Sequence, residues 1–413
     1  MKRARTTLAD LSLRRASDSA TVGTARCISY NKGTIRRAVS TCIEELPDLQ
    51  EAFIRAQSVL LKPNLLSSTR GPEHHVNTHP ALVRALARTL QSDFGCQVAV
   101  GDSCGSFSQN STGRALHRSG MEKVAEDLDA RLYNVDNQPR RLVRSDQARI
   151  YKEMRLPENL GEFDLIVSVS KLKTHMLTYV TGPVKNMLGL VPGAAKKDAH
   201  ILAPRPDDFA VLLADLYAEL PRTVAFSDGV MGMEGRGPSN GDLRHVELLA
   251  ASADPVALDS FCAEVMGFDP MQVPLLAECQ RRGLGIAAPV SIRVRGEPAA
   301  AFAPEDFAKP PTYADSVLAR AIPRWVVRGV LRTFNKRYAR IDPDRCRQCG
   351  ECAVNCPSDA ITHDAATDSY TVDRARCICC YCCAEVCPSD AVRVEASLPT
   401  RVADWLKSPL GGS

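Results

Sequence analysis

The chain contains sixteen cysteines, and ten of them lie between Cys346 and Cys387. Eight of the ten form two copies of the pattern C-x2-C-x2-C-x3-C-P, which start 31 residues apart: Cys346, Cys349, Cys352 and Cys356, then Cys377, Cys380, Cys383 and Cys387. The similarity extends beyond the cysteines, because Pro357–Ile361 is matched by Pro388–Val392. Disulfide scaffolds belong to short secreted chains, so this clustering in a long chain indicates metal binding.

The duplicated pattern predicts two [4Fe-4S] clusters. Each iron of a cubane needs a thiolate, and in two-cluster ferredoxins each motif takes its fourth ligand from the other motif. The expected sets are Cys346, Cys349, Cys352 and Cys387 for cluster I, and Cys377, Cys380, Cys383 and Cys356 for cluster II. Structural zinc sites usually pair cysteines in sets of four and do not generate this eight-ligand duplicate. We therefore expect residues 341–395 to form a small α+β domain of the bacterial ferredoxin type, called here the cluster domain.

Two cysteines of the second copy, Cys379 and Cys382, lie outside the ligand spacing. They can pack as small hydrophobic residues, place weak donors near cluster sulfurs, or offer an alternative ligand register. The remaining six cysteines are scattered, which is typical of buried hydrophobic positions.

Residues 24–300 predict an α/β domain with a mainly parallel sheet, because short apolar β-branched runs alternate with helical patterns. Strands are predicted at Ser58–Leu61, Gln97–Val100, Leu165–Val169, Thr223–Phe226, Val246–Ala250 and Val290–Val294. Helices are predicted near His79–Phe94 and Asp207–Leu220. The sequence has no glycine-rich dinucleotide or P-loop motif, so neither kind of nucleotide site is predicted.

The segments outside these two domains have distinct compositions. Residues 1–23 are basic and polar and are predicted to be disordered, and residues 396–413 are predicted to be a tail. Residues 301–340 read as a proline-containing linker followed by an amphipathic helix, whose basic residues recur every four positions: Arg320, Arg324, Arg328, Arg332 and Lys336. This spacing predicts one basic face, which either is simply solvated or docks on an acidic partner or, through residues 320–340, on an anionic membrane surface.

Overall charge and hydropathy set broad expectations for partners and location. Lys and Arg outnumber Asp and Glu by only 52 to 48, so no nucleic-acid partner is expected. No run approaches the roughly eighteen apolar residues of a membrane span, and no secretory signal pattern is present. We therefore expect a cytoplasmic protein without a transmembrane segment.

Polar segments follow several predicted strands, at the sheet edge where α/β proteins usually place their sites. They are Lys62–Leu66, Gly101–Gly105, Lys171–His175 and Thr181–Gly193. Together with Asp254–Asp259, these segments resemble the motifs of the domain-of-unknown-function family DUF362, whose members often carry a ferredoxin-like C-terminal extension. The resemblance covers nearly all of residues 24–300 and implies an iron-sulfur protein without naming a substrate.

A second resemblance is to nickel-pincer lactate racemases. His175, Gly182, Lys185, Pro192 and Gly193 fall in the order of that family's motif, although Pro183 stands where a small residue is expected. The resemblance implies that His175 and Lys185 are catalytic residues at a cofactor or substrate pocket. Other histidine ligands cannot be placed, so nickel is not inferred, and an additional unidentified cofactor remains open.

The substrate-binding candidates are the other polar residues of the strand-end segments: Lys62, Asn64, Asp102, Ser103, Lys171 and Lys173. Several lysines with little acid nearby are suited to an anionic ligand such as a carboxylate or phosphate.

Two functional hypotheses follow. In the first, the protein is an oxidoreductase that passes electrons between its clusters and a small anionic substrate or cofactor in the α/β domain, with an electron donor or acceptor protein as partner. In the second, it is a non-catalytic electron-transfer or assembly protein whose α/β domain binds a partner. A flavin, small molecule or metal other than iron that co-purifies with the protein would favour the first.

Overall fold

The computed structural model describes residues 18–313 and 337–396. The predicted basic helix at residues 320–336 and the predicted tail, from residue 397 onward, lie outside these ranges, as do residues 1–17. The strands are β1 Ala20–Arg26, β2 Ser58–Pro63, β3 Gln97–Asp102, β4 Arg131–Asn134, β5 Arg140–Arg144, β6 Glu153–Pro157, β7 Leu165–His175, β8 Tyr179–Thr181, β9 Thr223–Glu234, β10 Asp242–Ser252, β11 Ile292–Arg295, β12 Arg337–Ile341, β13 Ile361–Asp364, β14 Ser369–Val372 and β15 Val392–Ala396. The helices are α1 Lys32–Glu44, α2 Pro47–Arg55, α3 Pro80–Ser92, α4 Ser111–Arg118, α5 Met121–Asp127, α6 Pro183–Asn186, α7 Gly193–Leu202, α8 Pro206–Ala218, α9 Pro255–Val265, α10 Pro274–Arg281, α11 Glu351–Val354 and α12 Cys382–Val386.

A nine-stranded sheet organises the described part of the α/β domain, in the order β11-β1-β10-β9-β7-β2-β3-β4, with β8 paired to β7. Strands β9, β7, β2, β3 and β4 run parallel, whereas β10 is antiparallel to both of its neighbours. This arrangement confirms the predicted α/β fold with a mainly parallel sheet.

The predicted boundary at residue 24 is wrong for residues 20–23. These residues belong to β1, which lies inside the sheet between β10 and β11. Pairing on both sides satisfies its backbone groups, and Val22 is completely buried. The strand was missed because a short run of Ala, Thr and Gly carries little hydrophobic periodicity.

Strand β7 links the core to the polar edge of the sheet. It was predicted to end at Val169 but continues to His175, and all eleven of its residues are buried. Its first half is apolar, as expected of a central parallel strand. Its second half carries Lys171, Lys173 and His175, so one continuous strand holds three predicted site residues in fixed positions.

The cluster domain contains two antiparallel pairs, β12 with β15 and β13 with β14, together with short helices α11 and α12. The duplication seen in the sequence recurs in the backbone. Positive φ angles occur at equivalent positions of the two copies, pairing Gln348 with Cys379, Gly350 with Tyr381 and Asp359 with Asp390. Left-handed residues turn the chain sharply, which lets closely spaced cysteines face one centre.

Each cysteine motif is held against the α/β domain by side-chain contacts. In the first motif, the Ser108 hydroxyl donates to Glu351 Oε2 at 2.7 Å. Beside the second motif, the Arg236 guanidinium donates to both carboxylate oxygens of Asp390, at 3.0 and 2.6 Å. Such forked pairs fix orientation as well as distance.

Within residues 18–313 and 337–396, no helix combines the length and apolar character needed to cross a membrane.

Candidate functional site

The cysteines predicted for cluster II surround one cavity of the cluster domain. Cys356 comes from the first motif, and Cys377, Cys380 and Cys383 come from the second. Burial raises the pKa of the Cys383 thiol well above its usual range, and the neighbouring thiols of Cys380, Cys377, Cys352 and Cys356 raise it further. The donor set therefore fits the cross-motif ligation of a cubane.

The cysteines predicted for cluster I are also brought together. Burial raises the pKa of the Cys352 thiol, and the neighbouring thiols of Cys387, Cys349 and Cys346 raise it further. In the described ranges, no three His, Cys, Asp or Glu side chains converge tightly enough to hold a single metal ion.

Backbone amides already point at the two exchanged ligands. The Ala360 amide donates to Cys356 Sγ at 3.2 Å, and the Ala391 amide donates to Cys387 Sγ at the same distance. Hydrogen bonds to cluster sulfurs are one of the factors that set reduction potential.

The two predicted clusters differ in their surroundings. Cys349 of cluster I is exposed, whereas Cys356, Cys380 and Cys383 of cluster II are buried. The extra residue Cys382 is also buried, and its negative charge, like that of Glu385, opposes the lowering of the Lys185 pKa by burial. The second cysteine motif is therefore the one that reaches the predicted catalytic residues Lys185 and His175.

Lys62 takes part in a buried network at the sheet edge. Its Nζ lies 2.7 Å from Asp102 Oδ1 and donates to Asn186 Oδ1 at 2.9 Å. Burial lowers the pKa of Lys62 to about 8, although the Asp102 carboxylate opposes that shift. Asn64 lies two residues further along the chain. Its buried amide oxygen has no hydrogen-bond partner among the described residues.

Lys171 is held in a second buried ion pair, with Asp228, at 3.1 Å. It also donates to the Tyr30 hydroxyl at 2.8 Å, and that hydroxyl donates to Asp228 Oδ1 at 2.7 Å. The expectation of lysines with little acid nearby is therefore wrong for Lys62 and Lys171. The acids come from other strand ends, which meet these lysines only in the folded sheet.

Ser103 contacts a third lysine that sequence reasoning missed. Lys196, on α7, donates to the Ser103 hydroxyl at 2.7 Å and to the Ser103 and Cys104 carbonyls. The Ser103 hydroxyl in turn donates to Asp136 Oδ1 at 2.8 Å. These contacts tie the Gly101–Gly105 segment to the start of α7.

Lys173, His175 and Lys185 form the part of the site nearest the cluster domain. Lys173 donates to the Val76 carbonyl at 2.7 Å, and burial lowers its pKa well below the usual range. Burial, then the charges of Lys185 and Lys173, lower the pKa of His175 well below its usual range. His175 Nδ1 accepts the Leu177 amide at 3.0 Å, so the neutral ring carries its proton on Nε2.

Lys185 has neither a hydrogen bond nor an ion pair within the described parts of the chain. It is partly exposed, and burial lowers its pKa while Glu385 and Cys382 oppose that shift. Glu385, on α12 of the cluster domain, lies with its Oε1 3.2 Å from His175 Nε2. The two atoms are not aligned for hydrogen bonding, so Oε1 accepts no hydrogen bond from the described residues.

Other buried polar atoms near Lys185 also lack partners. His200 Nδ1 and Thr181 Oγ1 accept and donate no hydrogen bonds within the described ranges. The His200 ring stacks on Phe209 with centroids 4.8 Å apart, and burial followed by the charge of Lys185 lowers its pKa to about 3. His200 and Lys196 lie four residues apart on α7, a spacing that places both on one helix face.

Asp259 positions the short helix that carries Lys185. Its Oδ2 accepts the Val184 amide at 2.9 Å, and Asp259 is buried with no cationic partner among residues 18–313 and 337–396. A Cβ at Gly182 would lie only 1.4 Å from Asp259 Oδ1, so glycine is required there. Two of the segments that resemble DUF362 motifs therefore meet in one contact.

A large groove lies away from these residues. It has a volume of about 920 Å³ and is lined by the starts of β1 and β9 and by Arg293 and Arg295 of β11. Because β9 is parallel to β7, the start of β9 lies at the opposite edge of the sheet from His175. None of the buried lysines described above therefore lines this groove.

Comparisons with known proteins agree with both domains. The domain-of-unknown-function model DUF362 matches residues 59–264, and the 4Fe-4S dicluster domain model matches residues 345–391. The thylakoid-associated protein sll1697 of Synechocystis is 31% identical over 268 residues, which cover 65% of this chain and 81% of that protein. The C-terminal match indicates that the chain binds 4Fe-4S clusters and takes part in electron transfer.

Solved structures give weaker likenesses. The lactate racemase apoprotein of Thermoanaerobacterium thermosaccharolyticum is 13% identical with a TM-score of 0.37, over 60% of this chain and 57% of that one. A Thermotoga maritima protein is 14% identical with a TM-score of 0.35, over 58% of this chain and 59% of that one. This chain thus covers less than two thirds of either structure.

Proposed function

This chain belongs to the DUF362 family, and we propose that it is an oxidoreductase whose two 4Fe-4S clusters exchange electrons with a small anionic molecule. That molecule binds at the Lys185 site, which consists of Lys185, His175, His200, Thr181 and Glu385. The same proposal places the enzyme in the cytoplasm and gives it an electron-carrier protein as partner.

The observation that carries this proposal is the group of unpartnered polar atoms where the second cysteine motif meets the α/β domain. A buried polar atom without a hydrogen bond costs about 1–3 kcal/mol. Glu385 Oε1, His200 Nδ1 and Thr181 Oγ1 all lack partners in the described ranges, next to the unpaired amine of Lys185. A bound ligand would supply the missing partners and offset that cost.

The residues of the site have separable roles. Lys185 provides a positive charge that no described carboxylate neutralises by direct contact, which is suited to an anionic group. His175 presents a neutral Nε2–H donor rather than a second cation. Cys346, Cys349, Cys352 and Cys387 would hold cluster I and the other four motif cysteines cluster II, and the clusters would supply single electrons.

A non-catalytic electron-transfer role is the second candidate, and one observation favours it. Lys62 and Lys171 are already neutralised by Asp102 and Asp228 inside the fold. Neither lysine is then free to bind substrate, and both act as parts of the scaffold. In this alternative, the α/β domain binds a partner protein and positions the clusters for it.

The deciding experiment is a census of small molecules in anaerobically purified protein. Mass spectrometry and metal analysis would be applied to wild type, Lys185→Ala and His175→Ala, with iron content and visible absorbance as the cluster controls. The enzyme proposal predicts a co-purifying small molecule, flavin or second metal that both variants lose while retaining their iron. A preparation containing iron and sulfide alone, identical in all three proteins, would favour the non-catalytic role.

A further inference from the structure

The two cysteine motifs differ at a position that the cluster fold itself leaves free. Eight residues after the first cysteine, the first motif has Val354 and the second has Glu385. Val354 is 51% exposed, whereas the Glu385 side chain is only 10% exposed. Hydrophobic burial alone would favour a buried Val354 and an exposed Glu385, because burying a carboxylate without a partner is costly.

Glu385 is directed towards the Lys185 site. Its Oε1 lies 3.2 Å from His175 Nε2 yet accepts no hydrogen bond from the described residues. It is also the acidic group that acts most strongly on Lys185. An acceptor and an amine without direct partners therefore occur in one neighbourhood, one from each domain.

A second difference between the motifs involves the position before the third cysteine. The first motif has Glu351 there, which accepts the Ser108 hydroxyl and helps to dock the domain. The second has Cys382, which is 4% exposed and whose negative charge opposes the lowering of the Lys185 pKa by burial. Compared with the first copy, the second lacks the docking carboxylate and has one facing the site instead.

We infer that Glu385 is a ligand-contacting residue of the Lys185 site, supplied by the cluster domain. Its carboxylate selects a molecule that carries a hydroxyl or amine donor in addition to the anionic group bound by Lys185. A purely anionic ligand would meet the Glu385 carboxylate without a donor to offer, and that contact disfavours it. This inference rests on the proposed function, because it takes the Lys185 site to be the ligand site.

The test compares two probes, acetate and glycolate, which differ by one hydroxyl group. Their dissociation constants would be measured by calorimetry on the full-length, cluster-loaded protein. A hydrogen bond to a charged group is worth about 1.5–3 kcal/mol, so glycolate should bind at least about tenfold more tightly than acetate. In Glu385→Val, which reproduces the first motif, the ratio should fall towards one.

Two further variants control this measurement. Glu395→Val removes a partly exposed glutamate of the same domain, one paired with Arg340, and should keep the wild-type ratio. Glu385→Gln removes the charge while preserving the size of the side chain, and it should improve acetate binding even if the valine variant loses iron. Iron content and visible absorbance identify variants whose clusters remain intact.

Each outcome bears on a different part of the inference. An unchanged ratio in both Glu385 variants would overturn it and assign Glu385 to the adjacent cavity of about 10 Å³, where one water can bridge to Ser239. If the ratio is unchanged but Lys185→Ala weakens the binding of both acetate and glycolate, the Lys185 site remains the ligand site. If Lys185→Ala changes the binding of neither probe, the proposed function fails together with the inference about Glu385. Wild-type protein that binds neither probe would overturn the ligand class.

Discussion

His175 Nε2 lies 3.2 Å from Glu385 Oε1, so an imidazole of the α/β domain and a carboxylate of the cluster domain meet across the domain junction. Both side chains are nearly buried, with exposed fractions of 1% and 10%. Glu385 stands between Cys383 and Cys387, one predicted ligand of each cluster. A molecule bound at this junction would therefore contact the segment of chain that joins predicted ligands of both clusters.

The cysteine assignment predicts separable losses of iron. Wild-type protein prepared anaerobically should contain about eight iron and eight sulfide per chain, because two cubanes hold four of each. Cys349→Ser should damage cluster I selectively, and Cys380→Ser should damage cluster II. Iron analysis and electron paramagnetic resonance of the reduced proteins would separate the two.

Cys379→Ser and Cys382→Ser are the matched controls, since both residues lie in the second motif outside the ligand spacing. Both variants should retain the full iron content. Complete loss of iron in either would show that the ligand register is different from the one assigned.

Breaking the buried Lys62–Asp102 pair should destabilise the α/β domain. Lys62→Met leaves the Asp102 carboxylate buried without its cation, which typically costs about 3–5 kcal/mol. Denaturant unfolding should show this loss, and the double variant Lys62→Met, Asp102→Leu should recover most of it. Lys123→Ala, which removes an exposed ion pair with Asp127, should change stability by less than about 1 kcal/mol. Equal effects at the two sites would contradict the scaffold role of Lys62.

Asp259 should make stability depend on pH. Burial raises its pKa to about 7 from an ordinary 3.8, so its contribution to stability is full below pH 3.8 and is lost as pH rises through 7. Asp259→Asn keeps an acceptor for the Val184 amide and has no proton to lose. Between pH 5.5 and 8.5 its free energy of unfolding should therefore rise relative to wild type by about 2 kcal/mol, because about 1.5 pH units of that window lie below the raised pKa.

The control for this measurement is Asp207→Asn, an exposed position in the first turn of α8. The difference in free energy of unfolding between this variant and wild type should stay constant over the same pH range. A constant difference for Asp259→Asn as well would show that Asp259 does not titrate there.

The basic helix predicted at residues 320–336 gives a test of surface docking. If its charges contact an anionic surface, replacing Arg324, Arg328 and Arg332 by Glu should weaken binding to vesicles of anionic lipid, most strongly at low salt. Sedimentation with the vesicles would measure this. Unchanged binding would favour a solvated face.

Local patterns predicted six of the nine strands of the main sheet. Strands β2, β3, β7, β9, β10 and β11 were all predicted, because each contains a short apolar run between turn residues. The helix near His79–Phe94 was also predicted, and it begins at Pro80 as expected of a proline in the first turn. The strand β7 was predicted too short, since its buried lysines resemble the polar end of a strand.

The site was less predictable because its contacts join distant parts of the chain. Pairing of Lys62 with Asp102 depends on β2 and β3 being adjacent, which spacing along the chain does not reveal. His200 and Lys196 could have been found from their four-residue spacing on one helix. Glu385 could have been found by aligning the two cysteine motifs, where it replaces Val354, but its direction towards Lys185 is visible only in the structure.

The most direct test of the central proposal follows electrons from the clusters to the Lys185 site. Wild type and Lys185→Ala would be reduced anaerobically, freed of reductant, and mixed with the small-molecule fraction released from purified wild-type protein. Loss of the reduced-cluster signal, followed by visible absorbance, should be fast in wild type and abolished in Lys185→Ala at equal iron content. Equal reoxidation of the two proteins would contradict electron exchange at this site.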